Sequence, residues 1–410
     1  MSDIRPFKAL RPTESLAPKV ASRPYDVLTS EEARVLCENN PYSFLHITKS
    51  EVDLPEDTDV QSEIVYKKAK ENLDSFLDND ILFKENSDCY YVYQLTMNGR
   101  TQTGLTCVSS IDDYEQGLIK KHEFTRPEKE KDRIDHIIAT RAQTGNVFLA
   151  YRTNKNLDQV IDEFIASRQP VYDFVAEDGI THKIWIIDQP ETIDQISAIF
   201  RDEVPATYIA DGHHRAASAA KSRTELSKIN SDEAAYFLTT LFPSDQLEIM
   251  DYNRVVKSLN GLTTQEFLEK LKEDFQIEDN GTQPFKPQKL HQFGLYLDKN
   301  WYRLEVREGS WSNDPTGVLD ITILQNKILG KHLDIHDQRT DKNIDFVGGI
   351  RGLEELERRV DSGEMKAAFS LYPVSIEQLF SIADSGEVMP PKSTWFEPKL
   401  RDGLLTHIIS

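Results

Sequence analysis

Tyr208-Ile-Ala-Asp-Gly-His-His-Arg-Ala-Ala-Ser-Ala-Ala220 reads as the end of a buried strand, a tight turn and the opening of a helix. Tyr208, Ile209 and Ala210 supply the apolar strand end. Gly212 lets the backbone turn and approach a ligand closely. Asp211 is suited to cap the helix, since its carboxylate can accept amide hydrogens that have no helical acceptor. Ala216-Ala-Ser-Ala-Ala220 is a run of strong helix formers. The turn therefore sets helix amides and the positive end of a helix dipole beside His213, His214 and Arg215. That is an anion site, with phosphate the first anion to consider. The plainer alternative is a helix end with exposed histidines. A histidine metal site is not indicated, because adjacent histidines point in different directions and no His-x-x-x-His or Cys-x-x-Cys pattern accompanies them.

The chain around this turn has 410 residues, enough for two or three lobes. It carries 48 Lys and Arg against 69 Asp and Glu, a formal charge of −21. Such a balance disfavours general nucleic-acid binding, which needs a basic face, while leaving room for a local basic pocket. No apolar run reaches the roughly eighteen residues of a membrane-spanning helix, so no membrane partner is expected. Met1-Ser-Asp-Ile-Arg-Pro-Phe7 has no apolar signal core. Cys37, Cys89 and Cys107 are too few and too scattered for a disulfide framework or zinc site. Together these features lead to the expectation of a cytoplasmic protein.

Alternating helical and extended patterns predict an α/β fold. Residues 1–112 read as an N-terminal α/β region, 113–225 as the core that carries the phosphate turn, and 226–410 as a C-terminal lobe. In the first region a helix should open at Thr29 or Ser30, Phe44–Thr48 should be a strand, and 62–78 a helix with Ile64, Val65, Ala69, Leu73, Phe76 and Leu77 at helical spacing. Asn98-Gly99 should join paired strands over Tyr90–Leu95 and Gln102–Ser109. Tyr25-Asp26, between turn signals, reads as structural first and functional second.

Upstream of the turn lies Lys120-Lys-His-Glu-Phe-Thr-Arg-Pro-Glu-Lys-Glu-Lys-Asp-Arg133. A charge run is usually a solvated helix face. Here His122-Glu123 precedes the helix, and Lys131, Asp132 and Arg133 fall near its start, where a ligand could be met. Downstream, a buried strand is expected over Ala234–Phe242, a helix over 263–275, a hairpin over Phe293–Val306, a helix over Leu319–Leu329, a strand over Ala367–Leu371 and a helix over Ser375–Asp384. Gly348-Gly-Ile-Arg-Gly352 lacks the spacing of a nucleotide fingerprint.

Lys121-His-Glu123 and Ile209-Ala-Asp-Gly-His-His-Arg215 together resemble the free serine kinases of the ParB/sulfiredoxin-like superfamily. Asp384-Ser-Gly-Glu-Val-Met-Pro-Pro-Lys-Ser-Thr394 resembles that family's Gly-Glu-Val-x-x-Pro-Lys-Thr-Thr segment, and the order of all three agrees. Over its length the chain also looks like a larger bacterial family of unknown function associated with pyrophosphate-dependent serine kinases. The resemblance implies a ParB/sulfiredoxin-like catalytic core and phosphorylation of free L-serine to O-phosphoserine, with pyrophosphate, ADP or ATP as donor. It implies Glu123, with His122, as the catalytic pair. Gly212, His213, His214 and Arg215 would hold phosphates, helped by Lys131 and Arg133. Asp211 would act at the catalytic centre as a possible magnesium ligand, or only as a cap. Lys392, Ser393 and Thr394 would meet the amino acid or the phosphate end of the ligand. His122–Glu123 and Asp211–Arg215 are then expected to line one cleft. The spacing between them is longer than in the compact archaeal enzymes, and the first hundred or so residues have no counterpart there. Two alternatives remain at this point: a phosphoserine phosphatase using the same residues, and a ParB-like nucleotide-binding or DNA-associated module. The second would need a basic helix-turn-helix, which this sequence does not display.

Overall fold

A computed structural model of the chain describes residues 2–125, 127–230 and 232–409. It has the expected α/β class and divides into two compact units. The first comprises residues 1–121, 125–247 and 398–410, and the second 122–124 and 248–397.

The first unit is built on a nine-stranded mixed sheet. In spatial order its strands run Ile119–Lys120, Thr207–Asp211, Val147–Tyr151, Tyr236–Pro243, Arg100–Ser110, Tyr90–Met97, Thr181–Ile187 and Tyr172–Val175, with Ile4–Arg5 added beside Arg100–Ser110. Its middle is the hairpin read from Asn98-Gly99. Both turn residues take positive φ, 52° and 78°, the geometry that a two-residue turn between twisted strands requires. Val147–Tyr151 pairs parallel with Tyr236–Pro243 and antiparallel with Thr207–Asp211. All five residues of Val147–Tyr151 are buried, as a central strand covered on both faces demands. Val147, Leu149, Ile209 and Leu241 join one core with Leu157 and Phe164 of the Lys155–Ala166 helix and Ile196 and Phe200 of the Pro190–Glu203 helix. Each such side chain contributes roughly 1.5–3 kcal/mol by leaving water.

The sheet takes strands from all three of the segments expected from sequence, so the two compact units cut the chain differently from 1–112, 113–225 and 226–410. Long-range strand pairing, which no local pattern announces, decides this.

The second unit centres on a six-stranded antiparallel sheet in the order Phe275–Gly281, Asn300–Val306, Gln292–Leu297, Ala367–Leu371, Tyr252–Val256 and Ile344–Gly348. Val255, Tyr296, Trp301, Val347 and Ala368 pack with Leu356 of the Gly352–Asp361 helix. The hairpin, the Ala367–Leu371 strand and the helix at Ile376–Ser385 follow the sequence reading. The strands at Tyr252–Val256 and Ile344–Gly348 do not appear in that reading. The helix expected over 263–275 ends at Leu271, and Phe275 already begins a strand.

Phe44–Thr48, expected as a strand, is helical from Leu45 to Thr48. Leu45, Ile47 and Thr48 are all buried, and that is not the alternation a half-exposed strand needs. The Ser43 hydroxyl accepts the Leu45 amide at 3.3 Å and starts the turn. The 62–78 helix forms as Glu63–Asp78, but Tyr66 is buried while Ile64 is 56% exposed, so its core stripe is narrower than the apolar pattern suggested. Thr29 and Glu32 form a reciprocal capping box at the start of the Ser30–Cys37 helix, worth about 1 kcal/mol. The three cysteines are buried and unpaired, and no described helix is long and apolar enough to cross a membrane.

Candidate functional site

Asp211–Arg215, Lys131 and Arg133 belong to the first unit, and His122, Glu123 and Lys392–Thr394 to the second. In the first unit the register against Val147–Tyr151 shifts between Ile209 and Asp211, a bulge that re-aims the strand end. Gly212 follows at φ +99° as the residue before the His213–Leu226 helix. A side chain there would be strained, and its Cβ would lie 3.4 Å from the Val147 Cα. The helix buries His213, Arg215, Ala216, Ala217, Ser218 and Ala219. Its small residues allow a close packing with the Pro127–Thr140 helix, where Ser218 donates to the Glu130 carbonyl at 3.1 Å.

Asp211 does not cap this helix. It ends the strand, and its carboxylate accepts Lys399 Nζ at 2.9 Å. Burial would raise its pKa, but Lys399 and Arg215 outweigh that and hold it well below the usual carboxylate range. Gly212 takes the capping position instead, because the turn needs a left-handed residue there.

Arg215 is 7% exposed. Its Nη1 donates to the Asn146 carbonyl at 2.6 Å, and its Nη2 to both Asp26 oxygens at 2.9 Å. Burial works against its charge, yet Asp26, Asp211 and Asp402 hold the guanidinium above its ordinary pKa. Its Nε and the Asn146 Oδ1 are both buried without a partner among the described residues. Gly145 is packed against the side chain, and a Cβ there would stand 3.2 Å from Arg215 Cδ. The Tyr25 ring lies 4.0 Å from the Arg133 guanidinium and 5.7 Å from that of Arg215, within cation–π range. Burial pushes the Tyr25 phenol up to about 12, keeping it protonated. Tyr25, Arg133, His136, Gly145 and Arg215 line a small cavity of about 30 Å³.

Lys131 does not join Arg133. Two residues apart, they leave the helix on different sides: Arg133 turns inward to Tyr25 and Asp132, and Lys131 pairs with Asp135 on the exposed face.

In the second unit His122 is 1% exposed. Its carbonyl accepts the Met389 amide at 2.8 Å, and its Nε2 lies 3.5 Å from Thr394 Oγ1. Two of the three motifs are thus joined within one unit. Ser393 closes the turn by donating to the Pro390 carbonyl at 2.5 Å. Glu123 lines an open cleft of about 480 Å³ with Gln325, Gln338, Arg339, Met389 and Pro390.

As a magnesium ligand, Asp211 offers one carboxylate already engaged by Lys399 and lying in the field of Arg215. No group of three or more His, Cys, Asp or Glu able to hold a metal occurs among the described residues. This set does not fit a magnesium cage built from protein ligands.

The sequence reading missed Lys399 and Asp402, which lie beyond its third motif, and put a structural role for Asp26 ahead of a functional one. Asp402 is 2% exposed and its Oδ2 has no partner among the described residues. Burial pushes its carboxyl up to about 7, against the pull of Arg215. Asp26 stands out as a charge between Tyr25 and Val27-Leu28, whereas Lys399 and Asp402 lie in Glu397-Pro-Lys-Leu-Arg-Asp402, too charged a run to single them out.

A family model described as "Protein of unknown function (DUF1015)" matches residues 4–326. No curated protein matches the chain. Among solved structures, a free serine kinase variant in complex with AMP is 14% identical, with a TM-score of 0.38 over 73% of this chain and 92% of that one. A conserved hypothetical protein from Pyrococcus furiosus is 16% identical, with a TM-score of 0.37 over 74% of this chain and 94% of that one. SbnI with a C-terminal truncation, from Staphylococcus aureus, is 10% identical, with a TM-score of 0.38 over 72% and 85%. Similarity at this level leaves the chemistry to be read from the site's own residues.

Proposed function

The chain belongs to the DUF1015 family of proteins of unknown function, and we propose that it is a phosphotransferase making O-phosphoserine from free L-serine, with pyrophosphate as donor. The observation that carries this reading is the Asp211–Arg215 turn. A strand ends in a bulge, a left-handed glycine opens a helix, and a buried arginine stands behind the first turn. Helix amides, dipole and guanidinium together favour a multiply charged anion.

Phosphoryl transfer asks mostly for positioning and charge neutralisation. His213, His214 and the turn amides are assigned the donor's phosphates. Arg215 and Arg133 supply positive field from behind, with Arg215 anchored by Asp26. A serine hydroxyl is a poor nucleophile and needs a base within hydrogen-bond reach, a role assigned to Glu123. Lys392, Ser393 and Thr394 are assigned the amino acid. Magnesium enters this reading only as a companion of the donor, whose own oxygens supply most of its ligands.

Pyrophosphate is favoured because it needs only cations and amide donors, whereas a nucleotide also needs an apolar slot for its base. The test is the steady-state rate of phosphoserine formation from serine with pyrophosphate, ADP and ATP in parallel, each with equal magnesium. A rate with ADP or ATP about ten times that with pyrophosphate overturns the donor and leaves the reaction standing. Phosphoserine hydrolysis without formation by any donor replaces the kinase with a phosphatase.

A further inference from the structure

Arg254 sits in the middle of the buried Tyr252–Val256 strand and is 1% exposed. Among the described residues it has no carboxylate partner; every group that receives its hydrogens is neutral. Nε donates to Gln338 Oε1 at 3.3 Å, Nη1 to the Tyr252 carbonyl, and Nη2 to the carbonyls of Pro391 at 3.2 Å and Lys392 at 2.9 Å. Burial lowers its pKa to about 9, so it keeps its charge at neutral pH. A buried charge without a counter-ion is costly, and a packing role alone is served better by an apolar residue.

What the guanidinium holds is an unusual piece of backbone. Lys392 has φ +58°, in the left-handed region that side chains disfavour. Its carbonyl and that of Pro391 converge on one nitrogen of Arg254. The same turn is closed from the other side by Ser393 on the Pro390 carbonyl, and it reaches His122 through Met389 and Thr394. Gln338 in turn donates to Gln325 Oε1 at 2.7 Å, and both glutamines line the cleft that Glu123 lines.

We propose that Arg254 is a positioning residue for the amino-acid substrate, locking the Pro391–Lys392 carbonyls so that Lys392, Ser393 and Thr394 keep one binding conformation. This rests on the assignment of that segment to serine made above. Arg254 itself touches no reacting atom.

The test uses the full chain with Arg254→Gln, read by amide hydrogen exchange and by kinetics. Exchange at the Lys392, Ser393 and Thr394 amides should rise about tenfold or more, while that of the Gln292–Leu297 strand stays unchanged. KM for serine should rise about tenfold, with KM for the donor within about twofold of wild type. If Arg254→Gln does not fold, Gln338→Ala removes the Nε anchor together with the bond to Gln325 and should give the same pattern at smaller size. Unchanged exchange at 392–394, or exchange and both KM values rising together across the unit, overturns the inference. If the wild type forms no phosphoserine with any donor, the serine reading fails, and the exchange result alone still decides whether Arg254 locks the turn.

Discussion

The Arg215 guanidinium donates from Nη2 to both carboxylate oxygens of Asp26 at 2.9 Å, joining residues 189 apart in the chain. The arginine is nearly enclosed, while the Asp26 side chain is 34% exposed. Removing the acid strands a buried cation, and the desolvation cost of that cation is then no longer offset. Asp26→Ala should therefore destabilise the protein by about 2 kcal/mol, less than for a fully buried pair because water can partly replace Asp26. Urea denaturation measures this. A loss under about 0.5 kcal/mol would show that Arg215 is held by the Asn146 carbonyl and its packing alone.

Asp402 gives a pH dependence with a definite sign. Its folded pKa is about 7, raised by burial and opposed by Arg215 and Arg133, with Asp26 adding to the rise. Unfolded, the group titrates near 4. Between about pH 4 and pH 7 the native state therefore binds more protons than the unfolded state, and this group's contribution to stability falls as pH rises. Above pH 7 both states are ionised and the slope vanishes. Asp402→Asn should remove that decline, so its stability relative to wild type grows from pH 4 to pH 7 and then stays level. Unfolding free energies of both proteins across this range provide the check, and parallel curves would refute it.

Gly212→Ala isolates the turn. Alanine at φ +99° is strained by about 1–3 kcal/mol, with its Cβ in ordinary contact with Val147, 3.4 Å from the Cα. The chain can relieve this only by unwinding the turn, so phosphate or pyrophosphate binding should weaken by more than the loss of stability accounts for. Calorimetric titration beside a thermal melt separates the two effects. Unchanged affinity with lowered stability would make the glycine purely structural.

Local signals carried the strand-to-helix turn and the central hairpin into view. Gly212 between Asp211 and His213 marked a strand-to-helix turn, and Asn98-Gly99 fixed the register of the central hairpin. What stayed hidden depends on pairing at long range. Asp211 looked like a cap because nothing near it in sequence reveals Lys399. Lys131 and Arg133 looked alike until the helix rotation sent one outward to Asp135 and the other inward to Tyr25. Arg254 lay in a strand whose Tyr-Asn-Arg-Val-Val pattern gives no clean alternation, since its five residues are all buried. Phe44–Thr48 has strand-like composition, and tertiary burial overrode it.

Glu123 is the residue on which the proposed chemistry turns. It lines the cleft in the second unit beside Met389 and Pro390, next in sequence to a histidine whose carbonyl and ring are tied to the 389–394 turn. Glu123→Gln keeps shape and hydrogen-bonding capacity but cannot accept the serine proton, so melting temperature and KM for serine should stay near wild type. Turnover should fall by about 10²–10⁴-fold, the usual worth of a general base. The pH profile gives a second readout: the acid limb of kcat, which reports ionisation of the base, should disappear in the variant. Phosphoserine formation at near-wild-type rate would move the base elsewhere. Because the Asp211 carboxylate is already engaged by Lys399, Asp211→Asn is the control that tells a displaced base from a damaged turn: a lost acid limb with the donor KM unchanged marks Asp211 as the base, and a raised donor KM marks the turn.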